Sequence, residues 1–455
     1  MWWVMVVRWS WLEAMRPARS LTLALAFGLC LYGAMSWGTA RVAEEQAAIA
    51  AAAEENRRQW LAQPPQSPHA AAHFPVLLAA PPGPLAALVA GAAGSLPTFL
   101  YTDAHRVQAA RGSRVGEGPL EALLGPFDVG AVVGVVGSLV AALVGAEVVA
   151  AERARGTLRQ LLIAVPSPPG WLAAAATGRL LALWAITAGA AAVAWLAAGR
   201  PGLPLVPLGA WLGLSASYMA AWLWLGLLTA LRASRPATGA LGALAVWIAL
   251  VVVLPRGVVT LLELDAPYPD GALARASLRV EEVALRQRQG RMVEALRVRG
   301  ELAGATGFVA TEGPAAVRDV IDAAADQARR REEAGQRAWL ETQARRQLGW
   351  AWLSPVSLYV AAASALAGTD TARHARFERQ AAGWRRAFLA RLNGLEEQGQ
   401  DTFSAYGAIP AFSLQEASTR AAIASQALAW GLLMLLWVGS MAVAMGRFGG
   451  VDDGA

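Results

Sequence analysis

Glu147, Glu152, Arg153, Arg155 and Arg159 crowd into the stretch AEVVAAERARGTLRQLLIAVPSPP, residues 146–169, where an apolar run ends and three prolines break the pattern. Acids and arginines interleaved at this density do charge-assisted hydrogen bonding and docking rather than covalent chemistry. Arg153, Arg155 and Arg159 alone would serve as a topology signal on the inner side of a membrane. Glu152 and the Gly156-Thr157-Leu158 that follows are left unexplained by that role. Gly156 suits a tight turn. Leu158, Leu161 and Leu162 can hold a short helix to apolar neighbours before Pro166, leaving the charges to face a soluble partner. Glu147, near the end of the apolar run, can snorkel to water.

Other chemistry-bearing groups are sparse. His69 and His73 in HAAAH would put two imidazoles on one helix face, as a metal site needs, but two ligands do not complete a site and the flanking PPQSP and FP disfavour a helix of useful length. The expectation is therefore no metal. Asp370, four residues before His374, reads as a helix cap. No Ser-His-Asp set, paired-carboxylate arrangement or zinc-binding helix stands out, and the expectation is a non-catalytic chain. All 39 basic residues are arginine. Without lysine, neither a Walker A phosphate loop nor a Schiff base can be built, so this chain is not itself a P-loop ATPase. The single Cys30 excludes an intramolecular disulfide and a cysteine metal cluster.

The elements that position these groups are set by an apolar composition. Of 455 residues 56% are hydrophobic and 16% charged, which marks a membrane protein. Apolar runs long enough to cross about 30 Å of hydrocarbon predict six helical spans, at 21–37, 129–150, 171–198, 205–231, 239–259 and 421–445. Arg8, Arg16 and Arg19 before the first span, the 153–159 cluster, Arg232 with Arg235, and Arg447 all fall on one side if there are six spans. That side is the cytoplasm, with both termini in it. Residues 1–20 then form an amphipathic helix at the inner interface, 151–170 a cytoplasmic loop, and 446–455 a cytoplasmic tail. Residues 38–128 and 260–420 face outward.

From 256 to 420 there are 22 arginines against 20 acidic residues, a balance that suits a solvated domain and not a nucleic-acid surface. Leu278, Leu285 and Met292 recur by sevens, and a second helix from Pro314 towards Leu348 would complete a helical hairpin. Residues 348–368 are apolar but interrupted by Pro355, and with leading aromatics at Trp350 and Trp352 they are expected to lie on the outer leaflet rather than span. The proline-cut apolar stretch 75–99 cannot be one span and is expected to pack on the larger outer domain or the membrane surface. The fold class is an all-α membrane protein with a short cytoplasmic coupling helix and a largely helical ectodomain.

The charged stretch resembles the membrane subunits of ABC transporters of the ABC-2 type. Members tend to carry an acid, a Glu five residues on, Gly-Thr-Leu, a Leu-Leu pair, a proline, and later a Gly-Lys opening the next span. Here the matching residues are Glu147, Glu152, Gly156, Thr157, Leu158, Leu161, Leu162, Pro166 and Gly178, with Arg179 at the lysine position. The stretch WLSPVSLYVAAASALAGTDTARHARFERQ further looks like a subgroup with a large periplasmic domain before the last span. The resemblance implies a bacterial inner-membrane permease that binds no cofactor itself. It works with separate ATPase subunits carrying ATP and Mg, with a second permease, identical or related, with membrane lipid, and with a periplasmic or outer-membrane partner. The competing reading is a signalling or force-transmitting assembly through which nothing crosses.

Overall fold

A computed structural model describes residues 1–15, 18–94, 96–104, 107–110, 127–197, 205–233, 235–265 and 352–449, with isolated positions between 280 and 350. The predicted hairpin lies outside the described residues. The chain divides into one compact unit of residues 1–255 and 352–455 and a second of residues 256–351. In the second, Arg346 Nη1 donates to Asp265 Oδ2 at 2.7 Å.

The first unit is mostly helical, with six helices long and apolar enough to cross a membrane. α1 (Trp2–Met15) is followed by α2 (Ala18–Leu61), a single helix of 44 residues. At 1.5 Å per residue α2 is about 66 Å long, roughly twice the hydrocarbon thickness. The span read at 21–37 is thus its apolar half. Beyond it the helix continues, because ARVAEEQAAIAAAAEENRRQWL is rich in strong helix formers, and it ends just before Pro64 and Pro65.

The second crossing begins with α4 (Val129–Val132), passes through a π-helical turn at Val133–Gly137, and continues as α5 (Ser138–Arg155). Next come α6 (Leu158–Ala164), α7 (Pro168–Ala197) and α8 (Leu205–Arg232). The fifth crossing is α9 (Pro236–Trp247), a second π-helical stretch at Ile248–Val253, and α10 (Leu254–Asp265). After the second unit come α11 (Pro355–Ala367), α12 (Thr371–Glu397), α13 (Thr419–Ser425) and α14 (Ala427–Gly449).

α8 is the centre of the bundle, packed by α5, α7, α9, α11 and α14. Its crossing with α5 is set by a pair of glycines. A Cβ on Gly145 would lie 1.9 Å from the Leu223 carbonyl oxygen, and one on Gly226 equally close to that of Ala142. The backbones meet there as membrane helices do when small residues face each other. Trp211, Tyr218, Trp222 and Tyr359 are wholly buried, so aromatic side chains fill the interior rather than a channel.

α11 differs from the expected surface helix. It has 13 residues, about 20 Å, too short for a crossing. Yet Tyr359, Ala362 and Ala363 are fully buried, and the helix packs on α8 and α14. Ser354 caps its start, accepting from the Ser357 amide and donating to the Leu250 carbonyl at 2.9 Å. Gly368 ends it with φ +67°. Tyr359 stacks on Tyr218 at 4.5 Å and bonds the Ser215 hydroxyl at 3.1 Å, while Tyr218 donates to the Gly134 carbonyl at 2.7 Å. Each π-helical turn therefore presents a carbonyl, Gly134 or Leu250, to a side-chain hydroxyl from a neighbouring element. Apolar composition signalled that the stretch around Pro355–Ala367 meets an apolar environment, and for that helix the environment is the bundle itself.

The polar half of α2 belongs to an α+β body. β1 (Val76–Ala79), β2 (Phe99–Thr102) and β3 (Val107–Ala110) form an antiparallel sheet in the order β1-β2-β3, with Leu78 opposite Leu100 and Leu100 opposite Ala109. Leu78 and Leu100 bury against Phe377 and Ala381 of α12, and Leu77 and Phe99 against Ile49 of α2. A helix α3 (Pro68–Ala72) rests on the other part of α12, where Trp60, Phe388, Leu392, Phe403 and Tyr406 form a core. Parts of both long segments, on α2 to β2 and on α12, thus share one body, and the stretch 75–99 packs on α12 as expected. The sheet departs from the all-α expectation. Its strands are four residues each, too short and too uniformly apolar to show alternation.

Candidate functional site

α5 ends where the charged cluster begins, and Gly156 is the reason it can. Gly156 has φ +73°, the left-handed conformation that closes a helix, and its amide bonds the Arg153 carbonyl at 3.1 Å. The Thr157 amide returns to the Glu152 carbonyl at 3.0 Å, and the Thr157 hydroxyl donates to the Glu152 carboxylate. Glu152 in turn accepts from Arg155 Nη1 at 2.9 Å. The turn from α5 into α6 is therefore held by Glu152, Arg155, Gly156 and Thr157 together.

The network extends to a residue the sequence reading did not single out. Arg155 Nη1 also donates to Glu13 Oε1 of α1 at 2.8 Å, and Glu13 Oε2 lies 3.6 Å from Arg179 Nη2 of α7. The Arg179 side chain is 8% exposed and that of Glu13 17%, so this is a largely desolvated pair. α1 comes this close because of Gly178, where a Cβ would stand 2.4 Å from the Val7 carbonyl oxygen. The Gly178-Arg179 pair thus has two parts: Gly178 admits α1 and Arg179 binds its carboxylate. Signal for Glu13 existed, since it is the sole acid before Glu44.

α1 also differs from a simple amphipathic surface helix. It buries Ser10 against α7 and leaves Trp3, Val4, Met5 and Trp9 exposed. Arg8 is exposed; Arg16 lies outside the described residues.

The remaining members divide by direction. Arg153 turns inward, its Nη1 donating to the carbonyls of Ala230 at 3.1 Å and Ala233 at 2.6 Å, where it caps the end of α8. Leu158, Leu161 and Leu162 are half-buried, on the side of α6 towards the bundle. Arg159, Gln160 and Ile163 are exposed, Ile163 to 79%. Pro166 and Glu147 are exposed as well. The loop ends at Ser167, whose hydroxyl accepts from the Gly170 amide at 3.1 Å at the head of α7. Trp171 stacks on Phe448 at 6.0 Å, which brings the end of α14 to this same end of the bundle. α1, the 151–170 loop, the 230–235 turn and the end of α14 are therefore neighbours.

His69 and His73 stand on α3 in the α+β body, and Asp370 caps α12, accepting from the Arg373 amide at 3.2 Å. Burial raises the Asp370 carboxyl above its ordinary range against the opposing effect of that amide. Arg373 pairs with Glu416 and donates to the Pro81 carbonyl at 2.7 Å. No group of three or more His, Cys, Asp or Glu with metal-binding geometry occurs among the described residues.

A domain of unknown function, DUF3526, matches residues 281–415. The match covers less than half of the chain, and it takes in α11 and α12. The helix buried in the bundle and the helix that carries the sheet thus fall in one recurring unit. No curated protein and no solved structure matches the chain.

Proposed function

We propose that the chain is the membrane-spanning permease subunit of an ATP-driven transporter of the ABC-2 kind, driven by a separate ATPase that docks on α6. The observation that carries the reading is the join between an exposed helix and a braced root. α6 offers Arg159, Gln160 and Ile163 to solvent, while its root at Glu152 and Thr157 is tied through Arg155 and Glu13 to α1 and α7. A push on α6 is therefore passed to several helices at once. Charge gives the docking surface its selectivity, and the apolar Ile163 supplies an anchor.

In this reading the end carrying α1, α6 and the arginines is cytoplasmic, the membrane is the bacterial inner membrane, and the α+β body is periplasmic. The aromatic filling of the bundle favours a path between two permeases over a private pore. The chain itself binds no nucleotide; ATP and Mg belong to the partner ATPase. The alternative, a force-transmitting assembly acting on a periplasmic partner without translocation, draws support from α2, one uninterrupted helix from the bundle into the body.

Replacement of Glu152 by Arg and of Ile163 by Arg tests the docking. Ile163→Arg should insert and fold, since changes at exposed positions usually stay within about 0.5 kcal/mol. Glu152, 15% exposed, also holds the turn, so its variant is read alongside a check of insertion and folding. Ile163→Arg should lose co-purification of the ATPase. Glu152→Arg should lose either association or coupled hydrolysis, because it reverses charge at the root. Two variants that insert, bind the ATPase and support full hydrolysis would reduce the cluster to a topology signal.

A further inference from the structure

The histidines of α3 take no part in the coupling network. Their helix is five residues long but firmly seated: the Ser67 hydroxyl accepts from the Ala70 amide at 3.1 Å, and Pro68 occupies the first turn, where its missing amide costs nothing. The prolines that seemed to forbid a helix here delimit one. Ala71 and Ala72 are buried in the core around Leu392 and Phe388, and the Ala104 amide donates to the Ala72 carbonyl at 2.7 Å. Both rings therefore rise from a fixed backbone, and both are exposed.

Their Nε2 atoms face each other at 3.2 Å, with the rings at 86°. At that separation one nitrogen must donate and the other accept, so at most one Nε2 carries a proton without repulsion. A zinc–imidazole bond is about 2.0–2.1 Å, and two nitrogens 3.2 Å apart then subtend about 100° at the metal, close to the tetrahedral angle.

We propose that His69 and His73 bind a late divalent transition-metal ion, Zn2+, Ni2+ or Cu2+, through both Nε2 atoms. Imidazole pairs favour these ions over Mg2+ and Ca2+, which take oxygen ligands. An exposed two-histidine site of this kind exchanges its ion with solution.

The test uses the purified full-length chain in detergent, titrated with Cu2+ and followed by electron paramagnetic resonance, with Zn2+ as competitor and Mg2+ as control. Expected is one Cu2+ site with hyperfine coupling to two nitrogens, displaced by Zn2+ but not by Mg2+. His69→Ala and His73→Ala should each weaken binding at least about tenfold, the loss that changes beyond the ligand shell already cause. His374→Ala should leave it unchanged. Should an alanine variant fold poorly, His69→Gln and His73→Gln give the same reading. Cu2+ coupling and affinity that survive the double substitution, or binding no different from His374→Ala, overturn the proposal.

Discussion

Removing the Glu13 carboxylate would leave the Arg179 guanidinium, 8% exposed, without its acidic neighbour and would free Arg155 from α1. Truncating one partner of a desolvated pair costs about 3–5 kcal/mol, so Glu13→Ala should unfold at a distinctly lower temperature, while Glu13→Gln, which keeps an oxygen acceptor, should lose less. Differential scanning fluorimetry on the detergent-solubilised chain would decide; equal stability of Glu13→Ala and wild type would remove Glu13 from the brace. Asp128 carries a pH signature. It caps α4, its two oxygens accepting from the amides of Ala90 and Ala131 at 2.7 Å each, and burial raises its pKa while these amides and Arg41 oppose the rise. A carboxyl whose folded pKa lies above its unfolded value favours the folded state most at low pH. Its contribution therefore falls as pH rises from the ordinary value of 3.8 through the folded value, and is constant above that. Asp128→Asn should flatten the stability profile as pH rises from about 4; an unchanged slope would assign it to other groups.

At the scale of elements, the end of α2 is held by Trp60, 2% exposed, whose indole donates to the Tyr406 carbonyl at 2.9 Å and packs edge-on to Tyr406 and Phe388. Trp60→Ala removes that packing at a cost of about 3–5 kcal/mol and should expose residues 398–416 to limited proteolysis while the bundle stays protected. Cleavage at the wild-type rate would mean that other contacts hold the body. The same element shows what the sequence made legible. The six helices long and apolar enough to cross a membrane were readable, because lipid leaves long apolar helices as the spanning form available to such a chain. The length of α2 was not, since an apolar window stops where hydrocarbon would, whereas alanine, glutamate and arginine carry the helix on past Gly38. The turn at Gly156 was legible as local chemistry, and the seven-residue helix after it followed. Glu13 was not, because it meets Arg155 across 142 positions, a contact that no local pattern encodes.

For the whole molecule the open quantity is sidedness, and the packing sharpens the argument from arginine counts. Four arginine-bearing places far apart in sequence meet at one end of the bundle: α1 against α7, Arg153 on the end of α8, and Trp171 on Phe448 beside Arg447. On the proposed function, the positive-inside bias on such short segments would put that end in the cytoplasm, with the α+β body outside. Two exposed positions report the two sides: Gln160 on α6 and Gln400 after α12. With Cys30 replaced by Ser, a cysteine at Gln400 should react with a membrane-impermeant maleimide in cells whose outer membrane alone is permeabilised. A cysteine at Gln160 should react only after the inner membrane is broken. The reverse pattern would place α6 outside, away from ATP, and would end the proposal that an ATPase docks on it, while leaving the brace between Glu13, Arg155 and Arg179 intact as architecture. Labelling of both positions from outside would instead require a re-entrant 151–170 loop, and the force would have to enter the bundle through α2.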